Sequence, residues 1–233
     1  MKHLKNFILI LTGALLLLSS CVQDDVEVNE STIFPGSQAL VQTTLFGTVI
    51  DENDEPIQNA QIFYRSGRSA QTVNTDEFGN FLLENITNKG TSAFLQIEYA
   101  GKFDAFRRFG VLEGRYNRTV IKMQNKTIKG QVSASSGGRV SDANGAYVDL
   151  PANGIVDARG QSYSGTVDVA MAWIDPTSED LPEMMVGDLS GIDLEGNQSA
   201  LTTYGMLQVE LLDPSGNELN LAEGQTAELG FPV

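Results

Sequence analysis

Cysteine, histidine and tryptophan each occur once in this 233-residue chain, as Cys21, His3 and Trp173. A single cysteine cannot close a disulfide within the chain, so stability has to come from apolar cores. With the only histidine at position 3, the rest of the chain has no imidazole for a Ser-His-Asp triad, a Cys-His pair or a histidine-bearing zinc site. Basic residues are also scarce, 15 Lys+Arg against 30 Asp+Glu, for a net charge of −15. That balance argues against nucleic acid or an anionic lipid surface as partner, since both are held through basic surface. No phosphate-binding or dinucleotide-binding glycine pattern stands between a strand and a helix, and no segment keeps a 3.6-residue apolar period. Little helix is expected.

One long apolar run exists, over residues 7–18, after Lys2 and Lys5 and before small residues. It is too short to span a bilayer and reads as a signal peptide over residues 1–20. Without those two lysines the mature chain carries 13 basic and 30 acidic side chains, a net charge of −17. Residues 21–42 are polar, acidic and aperiodic, and read as a flexible linker.

Leu18, Ser19, Ser20 and Cys21 resemble the bacterial lipobox. The resemblance implies cleavage before Cys21, acylation of its thiol and new amino group, and a stable membrane anchor, since several acyl chains hold where one is marginal. A plain secretory signal with a chance cysteine at the cleavage point is the competing reading. Val22 follows the cysteine, where inner-membrane lipoproteins of Gram-negative bacteria tend to carry Asp, and Asp24 and Asp25 resemble a surface-export signal. The implied location is the outer membrane, lipid-anchored and facing out. An ordinary acidic tether facing the periplasm is the alternative.

The remainder alternates with the period of two expected of strands. Leu45, Gly47 and Val49 alternate with Phe46, Thr48 and Ile50 before the polar run at residues 51–56 turns the chain. Ala60, Ile62 and Tyr64, then residues 70–74, then Phe81 and Leu83 follow, with Gly79 placed for positive φ in the turn before Phe81. Ala93, Leu95, Ile97 and Tyr99 form another strand, and residues 117–123 the last of a first module spanning residues 43–125. Phe103, Phe106 and Phe109 with Arg107 and Arg108 read as core rings and solvated arginines; a binding surface is the alternative. A second module, residues 126–233, has strands at 128–132, 147–151 and 155–157. A long strand covers 164–175, and an antiparallel meander runs over 204–212, 218–221 and 226–233, with a loop at 133–144. The expected fold is all-β, two tandem antiparallel β-sandwich-like domains. The chain stops on an apolar stretch in mid-strand, so the second module is expected to be cut short.

Gly47-x-Val49-x-Asp51, Pro56-Ile57-x-Asn59-Ala60 and Thr75-Asp76-x-x-Gly79-x-Phe81 resemble the carboxypeptidase regulatory-like family of small transthyretin-like β-sandwiches. Lys102-Phe103 stands where that family commonly has an aromatic directly after Gly101. The resemblance implies a module without an active site that accompanies catalytic, transport or adhesive domains. Residues 151–157, 173–177, 187–189, 204–206 and 219–224 resemble a β-rich extracellular module of bacterial surface lipoproteins, with relatives of the cartilage intermediate layer type.

Together these readings describe a non-catalytic, lipid-anchored envelope protein serving adhesion, glycan or protein binding, or surface architecture. The alternative is the anchoring or accessory half of a larger surface hydrolase or nutrient-uptake system. A paired-carboxylate glycosidase stays open on composition alone, although the acids crowd into turns. No cofactor is expected beyond the lipid on Cys21. Calcium is the candidate ion, with oxygens from Asp51, Asn53 and Asp54 or from Asp193, Glu195 and Asn197; neither run has EF-hand spacing, and plain turns compete.

Overall fold

The computed structural model describes residues 40–66, 69–89, 92–111, 113–187, 189–195 and 197–232. The leader, Leu18 to Cys21, Asp24, Asp25 and the linker through residue 39 lie outside the described residues. Among the described residues the fold is all-β, with one four-residue helix, α1 (Leu181–Met184). Among the described residues no helix is long and apolar enough to cross a membrane.

The first half holds β1 (Leu40–Ile50), β2 (Gln61–Ser66), β3 (Ser69–Asn74), β4 (Asn80–Lys89), β5 (Ser92–Glu98), β6 (Ala105–Gly110) and β7 (Tyr116–Lys122). They form two sheets, β4-β1-β7 and β3-β2-β5-β6. Alternation decides which side chains go inward: Leu45, Val49, Leu83, Ile86 and Ile121 from one sheet meet Ile62, Tyr64, Leu95 and Ile97 from the other in a single core. That is a sandwich. The buried Tyr64 hydroxyl shares its one proton between the Thr87 carbonyl at 3.0 Å and Asn88 Oδ1 at 3.2 Å, so the ring is tied at its polar end.

Two features differ from the sequence expectation. β1 starts at Leu40, inside the stretch assigned to the linker. Its pairing with β7 is parallel, Thr44 opposite Tyr116 through Ile50 opposite Lys122. A period of two specifies the buried face of a strand and is silent about the direction of its neighbour. Between Thr43 and Leu45 the register with β4 shifts, and Asn85 takes φ +53 where β4 carries an extra residue.

The second half holds β8 (Ile128–Ser133), β9 (Gly138–Ser141), β10 (Tyr147–Leu150), β11 (Ile155–Asp157), β12 (Thr166–Ile174), β13 (Ser190–Ile192), β14 (Gln198–Ala200), β15 (Met206–Leu212), β16 (Glu218–Leu221) and β17 (Glu228–Gly230). A five-stranded sheet, β11-β16-β15-β12-β8, faces a three-stranded one, β17-β10-β9. Val140, Val148 and Leu150 from the smaller sheet and Val167, Val169, Met171, Leu211 and Leu219 from the larger form a second core.

The expected 133–144 loop contains β9, and the expected terminal meander breaks after β16. β16 already has β15 on one side and β11 on the other, so β17 joins β10 instead, with Leu229 opposite Val148. The β13-β14 hairpin stands apart from both sheets, its strands of three residues being too short to show a period.

Residues 39–233 form one compact unit containing both cores. The halves are joined by polar contacts: Lys122 Nζ reaches Asp180 Oδ2 at 2.6 Å, the Lys126 amide donates to the Gly101 carbonyl at 2.9 Å, and Arg107 bridges to Gly187.

Candidate functional site

The landmark residues of the first module all have mechanical roles. Buried Thr75 accepts the Ala60 amide at 2.8 Å and donates to the Ile57 carbonyl at 2.6 Å, clamping the β1-β2 connection. Asn59 and Gly79 take φ +62 and +73, and a Cβ on Gly79 would run into the Val49 carbonyl. Gly47 leaves room for the buried Phe81 ring lying across it. These residues make the frame.

The acids are organised by one repeated device. At Asp51, Asp76, Asp142, Asp157, Asp193 and Asp213 one carboxylate oxygen accepts the amides two and four residues on. Two of these turns are the calcium candidates. In the first, Asp51 also faces Lys102 at 3.9 Å and Asp54 faces Lys122 at 2.6 Å, so its two carboxylates are directed at cations. In the second, Asp193 accepts from the amides of Glu195 and Asn197 and from the Asn197 side chain. Among the described residues no three acidic, histidine or cysteine side chains are grouped to hold a metal.

Several of these carboxyls sit below the usual carboxylate range. For Asp157 the main cause is the Gln161 amide, and for Asp213 the Asn217 side chain. For Asp51, burial pushes upward, and the Asn53 and Glu55 amides with Lys102 outweigh it.

The aromatic and basic stretch divides. Phe103 is buried and Phe109 packs against the first core, as expected for core rings. Phe106 does not follow: it is 40% exposed on the outer face of the four-stranded sheet. Phe94, 54% exposed, and half-buried Phe63 lie on the same outer face. Arg107 is half-buried, while Arg108 lies with its guanidinium 5.8 Å from the Phe94 ring centre and donates to Ser92 Oγ at 3.2 Å.

Strand register turns these residues into rows. Thr72, Phe63, Gln96 and Phe106 stand opposite one another across β3, β2, β5 and β6. On one side of that row Arg65 opposes Ala70, and Phe94 opposes Arg108. On the other, Gln61 opposes Asn74 and Glu98, and Gln96 Nε2 donates to Glu98 at 2.8 Å and to Asp104 at 3.4 Å. Phe63, Arg65, Thr72, Phe94, Gln96 and Phe106 line a shallow concavity of about 390 Å³. Phe63 and Phe94 fall on the non-core phase of their strands, which was the available sequence signal. It becomes a site only once β2, β5 and β6 lie side by side.

A larger concavity of about 590 Å³ lies between the sheets of the second half, lined by Val148, Leu150, Leu207, Val209, Leu221 and Leu229 among others. Leu207, Val209 and Leu221 pack on the second core, and Glu210, Glu218 and Asn220 stand beside them, so this is the open margin of that core. The outer sheet face, though smaller, is the better candidate because it exposes aromatic rings, those of Phe94 and Phe106.

No family model matches the chain, and no curated protein matches it. Among solved structures it is similar to 3-chlorocatechol 1,2-dioxygenase from Rhodococcus opacus 1CP, at TM-score 0.29 and 10% identity over 39% of this chain and 61% of that one. It is similar to the Bacillus anthracis TIE protein at TM-score 0.33 and 12% identity, over 82% of this chain and 45% of that one. A candidate carbohydrate binding protein from Bacteroides uniformis ATCC 8492 aligns at TM-score 0.31 and 9% identity, over 82% of this chain and 99% of that one. The chain thus spans less than two thirds of the first two proteins, and all three TM-scores are too low to bear on its fold or function.

Proposed function

We propose that this chain is a non-catalytic, lipid-anchored protein of a Gram-negative outer membrane, facing outward, that holds a glycan on its first β module. One observation carries the binding role: Phe63, Phe94 and Phe106 share the solvent side of one sheet with Gln96, Glu98 and Arg65 around them. Exposed rings ringed by amide, carboxylate and guanidinium groups suit sugars, whose C–H faces stack and whose hydroxyls both donate and accept. The absence of any histidine after His3 supports a role without catalysis. The anchor rests on Cys21 within Leu18 to Cys21, and the outward location on Asp24 and Asp25. The carboxypeptidase regulatory-like identity of the first module rests on its sequence landmarks.

Two experiments test this reading. Proteinase treatment of intact and lysed cells, with a Cys21→Ala control, is expected to remove the β modules from intact cells; protection until lysis would refute the outward location. Affinity electrophoresis of the full mature chain through gels carrying single polysaccharides is expected to show retardation that Phe94→Ala and Phe106→Ala abolish. Equal mobility of all three proteins in every gel would refute the platform.

A further inference from the structure

We infer that the ligand of the outer sheet face is an acidic polysaccharide, a chain of uronate sugars lying across the strands with carboxylates on the arginine edge. The inference rests on the glycan reading of this face and adds the sugar class and its orientation.

The argument begins with spacing. Adjacent strands lie about 4.8 Å apart, so Phe63 and Phe106, two strands apart in one row, are separated by roughly 10 Å. That is about the span of a disaccharide, with Gln96 between them. A sugar chain laid along this row can stack on alternate units and meet the Gln96 amide midway. Successive rows are two residues apart along the strand, about 7 Å. The chain therefore has one edge toward the row of Arg65, Phe94 and Arg108 and the other toward Gln61 and Glu98.

The edges have opposite chemistry. Arg65 is exposed and Arg108 is held over Phe94, so the first edge carries two positive charges. The second carries Glu98 and Asp104, linked through Gln96, which accept hydroxyl protons. A neutral glycan can hydrogen-bond at both edges, since its hydroxyls also accept from guanidinium. A uronate gains more at the arginine edge, because a guanidinium binds a carboxylate through charge-assisted, paired N–H donors.

The protein's acidic excess does not oppose this. Of the acids on this face, Glu98 stands two rows, about 14 Å, from the row of Arg65, beyond the roughly 8 Å over which such a charge acts at physiological salt.

The test is calorimetry and affinity electrophoresis of the full mature chain at physiological salt. The probes are polygalacturonate, the same polymer with its carboxylates methyl-esterified, and a neutral glucan. Polygalacturonate is expected to bind roughly tenfold more tightly than its ester, the discrimination of one charge-assisted contact. Arg65→Gln should abolish the preference for the acid over the ester, and Phe106→Ala should weaken binding of both polymers. Equal binding of acid and ester, or an Arg65→Gln protein that still prefers the acid, would overturn the inference. Binding of ester or glucan without preference for the acid would leave the glycan platform standing and this inference refuted. No binding of any probe would refute both.

Discussion

Lys122 allows a prediction in which the intuitive ranking of mutants reverses. It lies in β7 with its side chain 3% exposed, and its ammonium is 2.6 Å from Asp54 and 2.6 Å from Asp180. The two acids are 72% and 49% exposed, so either remains solvated if the lysine is removed. Lys122→Met thus leaves no buried charge behind and is expected to change stability by no more than about 1 kcal/mol. Removing one acid leaves the ammonium a partner and should cost about 1 kcal/mol, the scale of a partly exposed pair. Removing both leaves a cation nearly sealed from water with no counter-charge, at about 3 kcal/mol or more, which exceeds the sum of the singles.

Asn is the replacement at position 54, because Asp54 takes φ +66 and Asn tolerates that conformation; Ala serves at position 180. The pH dependence should also invert. In the native protein the hydrogen bonds to Asp180, then Asp54, raise the Lys122 pKa above its usual value. Its contribution is therefore complete below the unfolded value of about 10.4 and lost as pH climbs through the folded one. With both acids gone, burial dominates and lowers the folded pKa, so the double variant should gain stability as pH rises through that lowered value. Urea unfolding followed by circular dichroism at neutral and alkaline pH measures both effects. A Lys122→Met protein destabilised by 3 kcal/mol, or an additive double variant with the native pH slope, would refute the reasoning.

Thr75→Val strands a buried amide and a buried carbonyl, at an expected cost of about 2–4 kcal/mol, whereas Thr75→Ser should retain most of the stability; denaturant midpoints decide. Gly47→Ala sets a methyl against the buried Phe81 ring and 3.0 Å from Thr119 Cγ2, for about 1–3 kcal/mol, and adding Phe81→Leu should recover part of it if the ring is the obstacle. The lowered carboxyls of Asp51, Asp157, Asp175 and Asp213 contribute stability that is present above the ordinary carboxylate range and lost as pH falls through their folded values. Stability should be flat near neutrality and fall below about pH 4, and Asp213→Asn, keeping the turn's acceptor oxygen, should reduce that acid slope by lowering stability at pH 7 toward the value at low pH.

Local chemistry explains what could be read in advance. Leu45 and Val49, Ile62 and Tyr64, and Leu95 and Ile97 go inward because successive side chains on a strand must point to opposite faces. Asp76 to Gly79 and Asp213 to Gly216 turn because an Asp side chain caps the amides that follow it and glycine accepts positive φ. Both are short-range effects, complete within about five residues of chain.

Partner choice was the unreadable part. The parallel β1-β7 pair, the departure of β17 to β10 and the emergence of β9 from a Ser- and Gly-rich stretch depend on which sheet edges remain open after other strands have docked. The candidate site belongs to the same category. Phe106 and Phe109, three residues apart on one strand, must point to opposite faces, but which of them meets the first core depends on how β6 docks. The sequence by itself determined the all-β class, most of the first core, the turns and the exclusion of histidine chemistry, because each depends on residue type and near neighbours. Only the tertiary structure decided that Phe63, Phe94 and Phe106 meet on one face between an arginine edge and an acidic one, because that row exists only where four strands lie in register.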